Sequence, residues 1–195
     1  MKNSVFTASC FSLALITSAC GAAMNPPVIK SNPHPKMRYE ITMTIEGAKG
    51  PFDSIETIAQ YDIANDRCVP LTPGSGATIA PDKTIPIHMT KVGDNAYRGE
   101  IFTDQLVDED YYGKGVCHWR LTAFSGYLRV KKSMITTGIE GEEVAAQKPA
   151  ERYFSNQNFT NPKLTGVDIG DSNRSAFKDP SDTFSVTFTA KENFQ

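Results

Sequence analysis

The residues with the most obvious chemical potential lie in one stretch, which runs from Asp108 to Ala123. Within it Cys117 and His118 are neighbours, and a thiol beside an imidazole is a pair that can form an activated nucleophile. From Val116 onward, however, apolar and polar residues alternate, which predicts a half-buried β-strand. Neighbours on a strand point to opposite faces, so this thiol and imidazole would not hydrogen-bond directly. We therefore predict no catalytic pair here.

The other candidates for chemistry are three histidines and a cluster of acids. His34, His88 and His118 lack the spacing of a zinc motif. Oxygen ligands of the kind that calcium prefers occur together in one loop, as Asp104, Asp108, Glu109 and Asp110. They do not follow the D-x-D-x-D-G pattern, and the chain has no G-x-S-x-G elbow. We expect no metal site, no cofactor and no enzymatic activity; the alternative is calcium at the acidic loop.

The same acidic loop carries two adjacent tyrosines. Tyrosine supplies a large contact area at low cost in side-chain entropy, and carboxylates steer basic partners. We predict a protein-binding surface made of Asp108, Glu109, Asp110, Tyr111 and Tyr112. The alternative is that one tyrosine tucks under the loop while the acids keep it soluble. Because this loop lies outside the predicted core, substitutions in it are expected to leave the melting temperature unchanged.

Alternating apolar residues recur along the chain after residue 36 and predict strands with one buried and one wet face. The clearest strand runs from Met37 to Glu46, and a last core strand contains Phe184 to Ala190. Pro86 lies within another alternating run, which predicts an edge strand because proline cannot donate a ladder hydrogen bond.

A central strand is expected to follow the acidic loop. Its inward face should hold Cys117, Trp119, Leu121 and Ala123. We expect Gly126 to end this strand and a further strand to run from Tyr127 to Thr136.

About seven short strands separated by turn residues, with one short helix at most between Glu140 and Lys148, predict an antiparallel β-sandwich. It would occupy residues 37–195 as a single domain, and residues 155–182, which are poor in large aliphatic side chains, are expected to be irregular. A loop of that length is usually functional or mobile. With 20 basic and 22 acidic residues, the chain has no charge excess for binding nucleic acid.

The N-terminus has the features of a secretion signal. A positive start is followed by an apolar run that is shorter than the roughly 20 residues of a membrane span, and small residues then lead to Cys20. This order resembles the lipobox of bacterial lipoproteins, which implies cleavage after residue 19 and acylation of Cys20, including palmitate. Since Gly21 is not aspartate, the resemblance implies an outer-membrane protein that faces the periplasm. The alternative is a plain signal peptide with an incidental Cys20.

Of the four cysteines, Cys10 would leave with the signal and Cys20 would take the lipid. Cys68 and Cys117 remain, and an exported chain in an oxidising compartment is expected to join them in one disulfide; the alternative is two buried thiols. Residues 20–36 are rich in proline and predict an extended tether.

As a whole the chain resembles the small, functionally uncharacterised lipoproteins of Gram-negative bacteria, a resemblance that implies no activity. We expect a non-catalytic envelope lipoprotein that binds a protein, such as an immunity or inhibitor lipoprotein against an envelope-acting toxin or hydrolase. It would meet the membrane through its lipid only. The alternatives are a scaffold for an envelope machine and a module that binds or hydrolyses peptidoglycan.

The lipid anchor gives the first testable prediction. Cys20→Ala should move the protein from the membrane fraction to the soluble periplasm and abolish metabolic labelling with palmitate. Labelling that persists in this variant would show that Cys20 is not the acylated residue.

Overall fold

Ten strands build two five-stranded sheets in the computed structural model, which describes residues 26–194. The predicted signal and Cys20 lie outside the described residues. In chain order the strands are β1 (Arg38–Glu46), β2 (Ser54–Ile63), β3 (Asp82–Ile87), β4 (Thr90–Lys91), β5 (Ala96–Phe102), β6 (Trp119–Val130), β7 (Ser133–Glu140), β8 (Ala150–Ser155), β9 (Gly166–Asp168) and β10 (Thr183–Glu192). The spatial orders are β4-β5-β1-β10-β8 and β3-β2-β6-β7-β9. The predicted all-β sandwich is confirmed, and Pro86 does lie on an edge strand, β3.

The core lies between the sheets because each central strand turns one apolar face inward. In β1 the buried residues alternate as predicted, and β10 adds a second apolar face; these residues are Tyr39, Ile41, Met43, Ile45, Phe184, Val186 and Phe188. The ring of Phe188 in the first sheet meets that of Phe124 in the second sheet edge-on, with centroids 5.8 Å apart. The hydroxyl of Tyr61 in β2 also crosses to the first sheet and donates to the carbonyl of Phe102 over 2.8 Å.

The strand expected to end at Gly126 instead continues through it to Val130. A Cβ at Gly126 would lie 3.2 Å from a ring carbon of Phe188, so the glycine allows the opposite sheet to approach. The turn comes at Lys131, which has a positive φ of 53° and donates its backbone N–H to the carboxylate of Asp53 over 2.6 Å. The predicted strand from Tyr127 to Thr136 was therefore wrong, because this glycine serves sheet packing.

A bulge in β6 corrects the predicted inward face. In the pairing with β2, Gln60 lies opposite Ala123 and the next residue, Tyr61, lies opposite Leu121. One residue of β6 between them therefore has no partner in β2. Such a bulge shifts the side-chain alternation by one position. Cys117, Trp119 and Leu121 are buried as predicted, whereas Ala123 is only half-buried. Beyond the bulge the inward face belongs to Phe124, Leu128 and Val130.

Two short α-helices occur within residues 26–194, where one at most was expected. The first, α1 (Gly141–Ala145), lies in the predicted region and has a capping box between Glu140 and Glu143. The second, α2 (Gln157–Thr160), lies in the segment expected to be irregular, which also contains β9. Within residues 26–194, no helix has the length and apolar character needed to cross a membrane.

Residues 166–171, called here the closing segment, run along one side of the sandwich. β9 pairs in parallel with the first three residues of β7, and Asp171 then exchanges two backbone hydrogen bonds with Tyr153 of β8. Gly170 allows this crossing: its φ is +64°, and a Cβ there would lie 2.5 Å from the Tyr153 carbonyl oxygen and 2.6 Å from the ring of Phe154. The closing segment therefore connects the edges of the two sheets.

The predicted tether is not free along its whole length. The backbone of residues 30–32 pairs with residues 105–107, and Lys30 forms an ion pair with Glu109 over 2.7 Å. The carboxylate of Asp104 accepts the backbone N–H groups of Lys36 and Met37 over 2.9 and 3.0 Å. The folded body therefore includes the chain from Lys30 onward, where Met37 was expected.

The predicted disulfide between Cys68 and Cys117 is confirmed. Both residues are buried, and their Cα atoms lie 5.3 Å apart. The bond connects the short 3-10 turn Asp66–Cys68, which follows β2, to the residues that lead into β6. It therefore holds the beginning of the longest strand against its neighbour.

Loss of this disulfide should destabilise the soluble domain. In Cys68→Ala or Cys117→Ala the free energy of unfolding, measured by urea denaturation, should fall by about 2–5 kcal/mol. Reductant should lower the stability of the parent protein to a similar extent and leave Cys117→Ala unchanged. Two free thiols on titration of the unfolded, unreduced chain without residues 1–20 would contradict the disulfide.

Candidate functional sites

The predicted protein-binding residues lie together in the loop between β5 and β6, and that loop is tied to the body by its own carboxylates. Asp108 accepts the backbone N–H of Trp119 over 2.9 Å with one oxygen. Its other oxygen lies 2.7 Å from Nδ1 of His118. The carboxylate thus caps the first residue of β6, and its charge faces an imidazole of the same molecule.

Glu109 and Asp110 also form contacts within the molecule. Glu109 pairs with Lys30, and this hydrogen bond and charge raise the pKa of Lys30. Its backbone oxygen accepts the N–H of Cys117 over 3.0 Å. Asp110 accepts the backbone N–H of Lys114 over 2.9 Å. These contacts shape the turn before β6.

The carboxylate of Asp110 has a pKa below its ordinary value. Partial loss of hydration raises this pKa, but hydrogen bonds from the backbone N–H groups of residues 112–115 together outweigh that effect. Because the pKa is depressed in the folded state, Asp110 stabilises the turn above its unfolded pKa of about 3.9. That contribution is lost as the pH falls through the lower folded-state value.

Of the two tyrosines, Tyr111 has the structural role that the alternative interpretation foresaw. Its hydroxyl donates to the carbonyl of Val107 over 2.6 Å and accepts from the indole Nε1 of Trp119 over 3.2 Å. The two rings are edge-on at 6.3 Å. Tyr112 is half-buried against the core, and its loss of hydration raises the pKa of its phenol. Both tyrosines pack against the core, so the expectation that this loop lies outside it was wrong.

The groups considered for catalysis do not come together. The disulfide takes both thiols of the described chain, and His118 faces Asp108. His34 and His88 are exposed elsewhere. Among residues 26–194, no three histidine, cysteine, aspartate or glutamate side chains are grouped as a metal site would require. A groove of about 610 Å³ beside the loop is lined in part by Tyr39, Asp108 and Trp119.

A second site lies at the closing segment, which sequence patterns did not single out residue by residue. Val167 and Ile169 are 70% and 66% exposed there. A pocket of about 420 Å³ lies beside them, and its lining includes Asn158, Leu164, Asp168, Asp171, Ala176 and Phe177. The signal that pointed to this region was the length of the irregular segment 155–182 within a small domain.

Asn158 of α2 holds an unusual position in this pocket. It is only 1% exposed. Its amide nitrogen donates to the carbonyl of Ser155 over 3.0 Å and to the carboxylate of Asp168 over 2.8 Å. Its Oδ1 is one of two buried side-chain polar atoms of the described chain without a hydrogen-bond partner. Buried polar atoms are nearly always paired, so this oxygen is an exception in the wall of the pocket.

The role of Tyr111 can be tested by removing a single atom, its hydroxyl oxygen. Tyr111→Phe removes the acceptor of the partly buried Trp119 indole N–H, so the free energy of unfolding should fall by about 1–2 kcal/mol. Tyr112→Phe is the matched control, because that hydroxyl has no hydrogen bond to the described residues, and it should change stability by less than about 0.5 kcal/mol. Equal stability of both variants in urea denaturation would show that the loop is independent of the core.

No protein-family model, curated protein or solved structure matches this chain. Function is therefore inferred from the two sites alone. In the loop before β6, most of the polar groups already bind within the molecule. At the closing segment, exposed apolar side chains lie beside a pocket whose wall includes Asn158.

Proposed function

We propose that this protein is a non-catalytic lipoprotein of the bacterial envelope that binds another protein through the closing segment. The observation that carries the proposal is the edge strand β9, since no described strand pairs with its outer side. Val167 in this strand and Ile169 just after it have 70% and 66% of their surface exposed. The partner class expected from the sequence, an envelope-acting toxin or hydrolase, remains part of the proposal.

Strand edges normally carry protection, because their free N–H and C=O groups can pair with another chain. Lysine, proline and inward-pointing charges are the usual devices. β9 is short, which is itself a form of protection. It nevertheless presents Val167, with Ile169 just beyond it, and its charged residue, Asp168, is engaged by Asn158 and by the N–H of Gly170. An extended segment of a partner could add to this edge through main-chain hydrogen bonds, with the two apolar side chains providing contact area.

The loop before β6 fits a partner surface less well. The carboxylate of Asp108 faces His118, and that of Glu109 faces Lys30. These pairs reduce the acidic field that would steer a basic partner. The non-catalytic part of the proposal is supported by the disulfide, which takes the Cys117 thiol that would be needed beside His118.

The position of the closing segment also suits an anchored protein. Residues 30–37 dock against the loop that precedes β6, whereas Gly166 lies at the turn that follows β6, with its N–H 3.4 Å from the carbonyl of Lys132. The twelve residues of β6 separate these ends by roughly 40 Å. If Cys20 holds the lipid, residues 20–29 can span at most roughly 35 Å. The anchor therefore joins one end of the sandwich, and β9 lies at the other.

Crosslinking in living cells tests this proposal. A photoreactive benzoylphenylalanine placed at Val167 or Ile169 should form a discrete adduct with one envelope protein, which mass spectrometry identifies. The control position is Lys83, which is exposed on β3 at the opposite edge of the same sheet. Adducts that are absent, or identical at all three positions, would contradict binding through β9.

The identified partner then allows a quantitative test. Val167→Lys and Ile169→Lys should each weaken binding by at least tenfold, since the loss of an interface contact of about 1.4 kcal/mol has that effect. Their melting temperatures should stay near that of the parent, because both side chains are exposed. Wild-type affinity in both variants would exclude this edge as the interface.

A further inference from the structure

The loop between β2 and β3 contains a hairpin without charge, residues 71–79, called here the finger. An antiparallel bridge joins Leu71 to Thr78, and the backbone N–H and carbonyl of Thr72 are both hydrogen-bonded within the finger. No charged side chain occurs anywhere in residues 69–81. The finger is therefore a folded, uncharged element, and the proposed protein binding at β9 does not use it.

The finger projects into solvent. Eight of its nine residues are exposed, and a Cβ added at Gly74 or Gly76 would meet no atom within 4 Å. Within residues 26–194, the hydrogen bonds of the finger join only its own residues. Leu71 and Ile79, on its two arms, are nevertheless apolar and are 61% and 71% exposed. The core of the sandwich therefore makes little use of these two side chains.

The finger lies at the end of the sandwich where the N-terminal segment docks. It follows β2, whose last residue, Ile63, pairs with Trp119 at the start of β6, and the loop before β6 holds residues 30–37. Nine large apolar side chains are exposed within residues 26–194. Six of them belong to the N-terminal segment, the finger, the loop before β6 and the C-terminal residues, all at this end: Val28, Met37, Leu71, Ile79, Val116 and Phe194.

The concentration of apolar side chains at this end indicates a contact surface. A single exposed apolar residue is ordinary, whereas several in one region mark a site of interaction with a protein or a membrane. Two basic groups of this end already face carboxylates, since Lys30 pairs with Glu109 and Arg120 pairs with Asp62. Attraction to a lipid surface would therefore come from apolar contact rather than from basic residues and anionic headgroups.

The length of the N-terminal chain favours a lipid surface as the partner of this end. If Cys20 holds the lipid, as proposed above, residues 20–29 keep Lys30 within at most roughly 35 Å of the bilayer. A tethered element meets its target at a high effective concentration, so a weak contact is enough to orient the protein. The bilayer is thus the apolar surface that the finger reaches most often.

We propose that the finger inserts Leu71 and Ile79 into the headgroup region of the bilayer, so that the folded body contacts the membrane beside its lipid. This inference rests on the proposed anchor and goes beyond the expected contact through the lipid alone. The headgroup region is roughly 5–7 Å thick on each side of the hydrocarbon core. It is hydrated, so the exposed turn of the finger keeps water as a hydrogen-bond partner. In this orientation β9 stays at the end away from the membrane.

Tryptophan fluorescence on tethered protein tests this proposal. The chain that begins at Cys20 is coupled through that thiol to a maleimide lipid in phosphatidylcholine vesicles, which replaces acylation in the cell. Tryptophan is placed in the finger by Leu71→Trp or Ile79→Trp, and at the far end by the control Val92→Trp, which is also exposed. Lipid that carries a spin label on its acyl chain should quench both finger variants. It should leave Val92→Trp like the parent, in which Trp119 is the only tryptophan.

A second substitution separates insertion from mere proximity to the vesicle. Leu71→Asp added to Ile79→Trp should shift the contact equilibrium about tenfold toward the free state, because it replaces an inserted apolar side chain by a charge. Val92→Asp added to Ile79→Trp should leave the quenching unchanged. Added salt should not weaken the contact, since the finger has no charge.

Three results would overturn the proposal. The first is an absence of quenching in both finger variants, and the second is equal quenching at positions 71, 79 and 92. The third is an emission shift that grows with protein density without quenching, which would identify a second copy of the chain as the partner of the finger. Because the lipid is attached chemically and β9 is not altered, this inference can fail while acylation of Cys20 and binding through β9 stand.

Discussion

The close approach of the two sheets at Phe188 is the contact on which the rest of the sandwich depends. This side chain is fully buried in β10 and packs edge-on against Phe124 of β6. Burial of a phenylalanine contributes roughly 1.5–3 kcal/mol. The approach is possible because β6 has a glycine at position 126, where a Cβ would lie 3.2 Å from the Phe188 ring. A larger residue there would push the sheets apart or shift the ring.

Because β6 continues past Phe188 without interruption, it extends along the whole sandwich. The two ends of the sandwich are held by different contacts. At the beginning of β6, Asp108 and Tyr111 bind the preceding loop to the strand, and the disulfide joins the end of that loop to the turn after β2. After its end, Asp53 holds the turn into β7. The N-terminal segment docks at the first end and the closing segment pairs at the second.

Buried polar side-chain atoms have hydrogen-bond partners at the end of the sandwich where the N-terminal segment docks, whereas two such atoms along the side next to the closing segment lack partners. The two buried side-chain atoms of the described chain that lack partners are Thr137 Oγ1 and Asn158 Oδ1. Thr137 lies in β7 and lines a groove of about 500 Å³ together with Ile169, and Asn158 lines the pocket on β9. Both therefore border the closing segment. Unpaired buried atoms are rare in folded proteins. Here both lie next to the surface for which we propose binding.

The sequence by itself determined the all-β class, the Cys68–Cys117 disulfide and the buried faces of β1 and β10. These follow from a period of two in residues such as Ile41 and Phe188, and from counting the cysteines that the chain would retain if it were exported. Local patterns of this kind depend on neighbouring residues, so they are visible without a fold.

Only the tertiary structure decided the rest, because the deciding contacts join residues far apart in the chain. The sequence predicts a strand end at Gly126, since nothing near this residue in the sequence shows that Phe188 will pack there. The bulge opposite Gln60 and Tyr61 moved the buried face from Ala123 to Phe124. Tyr111 packs edge-on against Trp119 and accepts a hydrogen bond from its indole N–H, a contact that no local pattern shows. The closing segment can run along the side of the sandwich because Gly170 lets the chain pass directly over Tyr153 and Phe154. A pattern of hydrophobicity in the sequence does not predict this close contact.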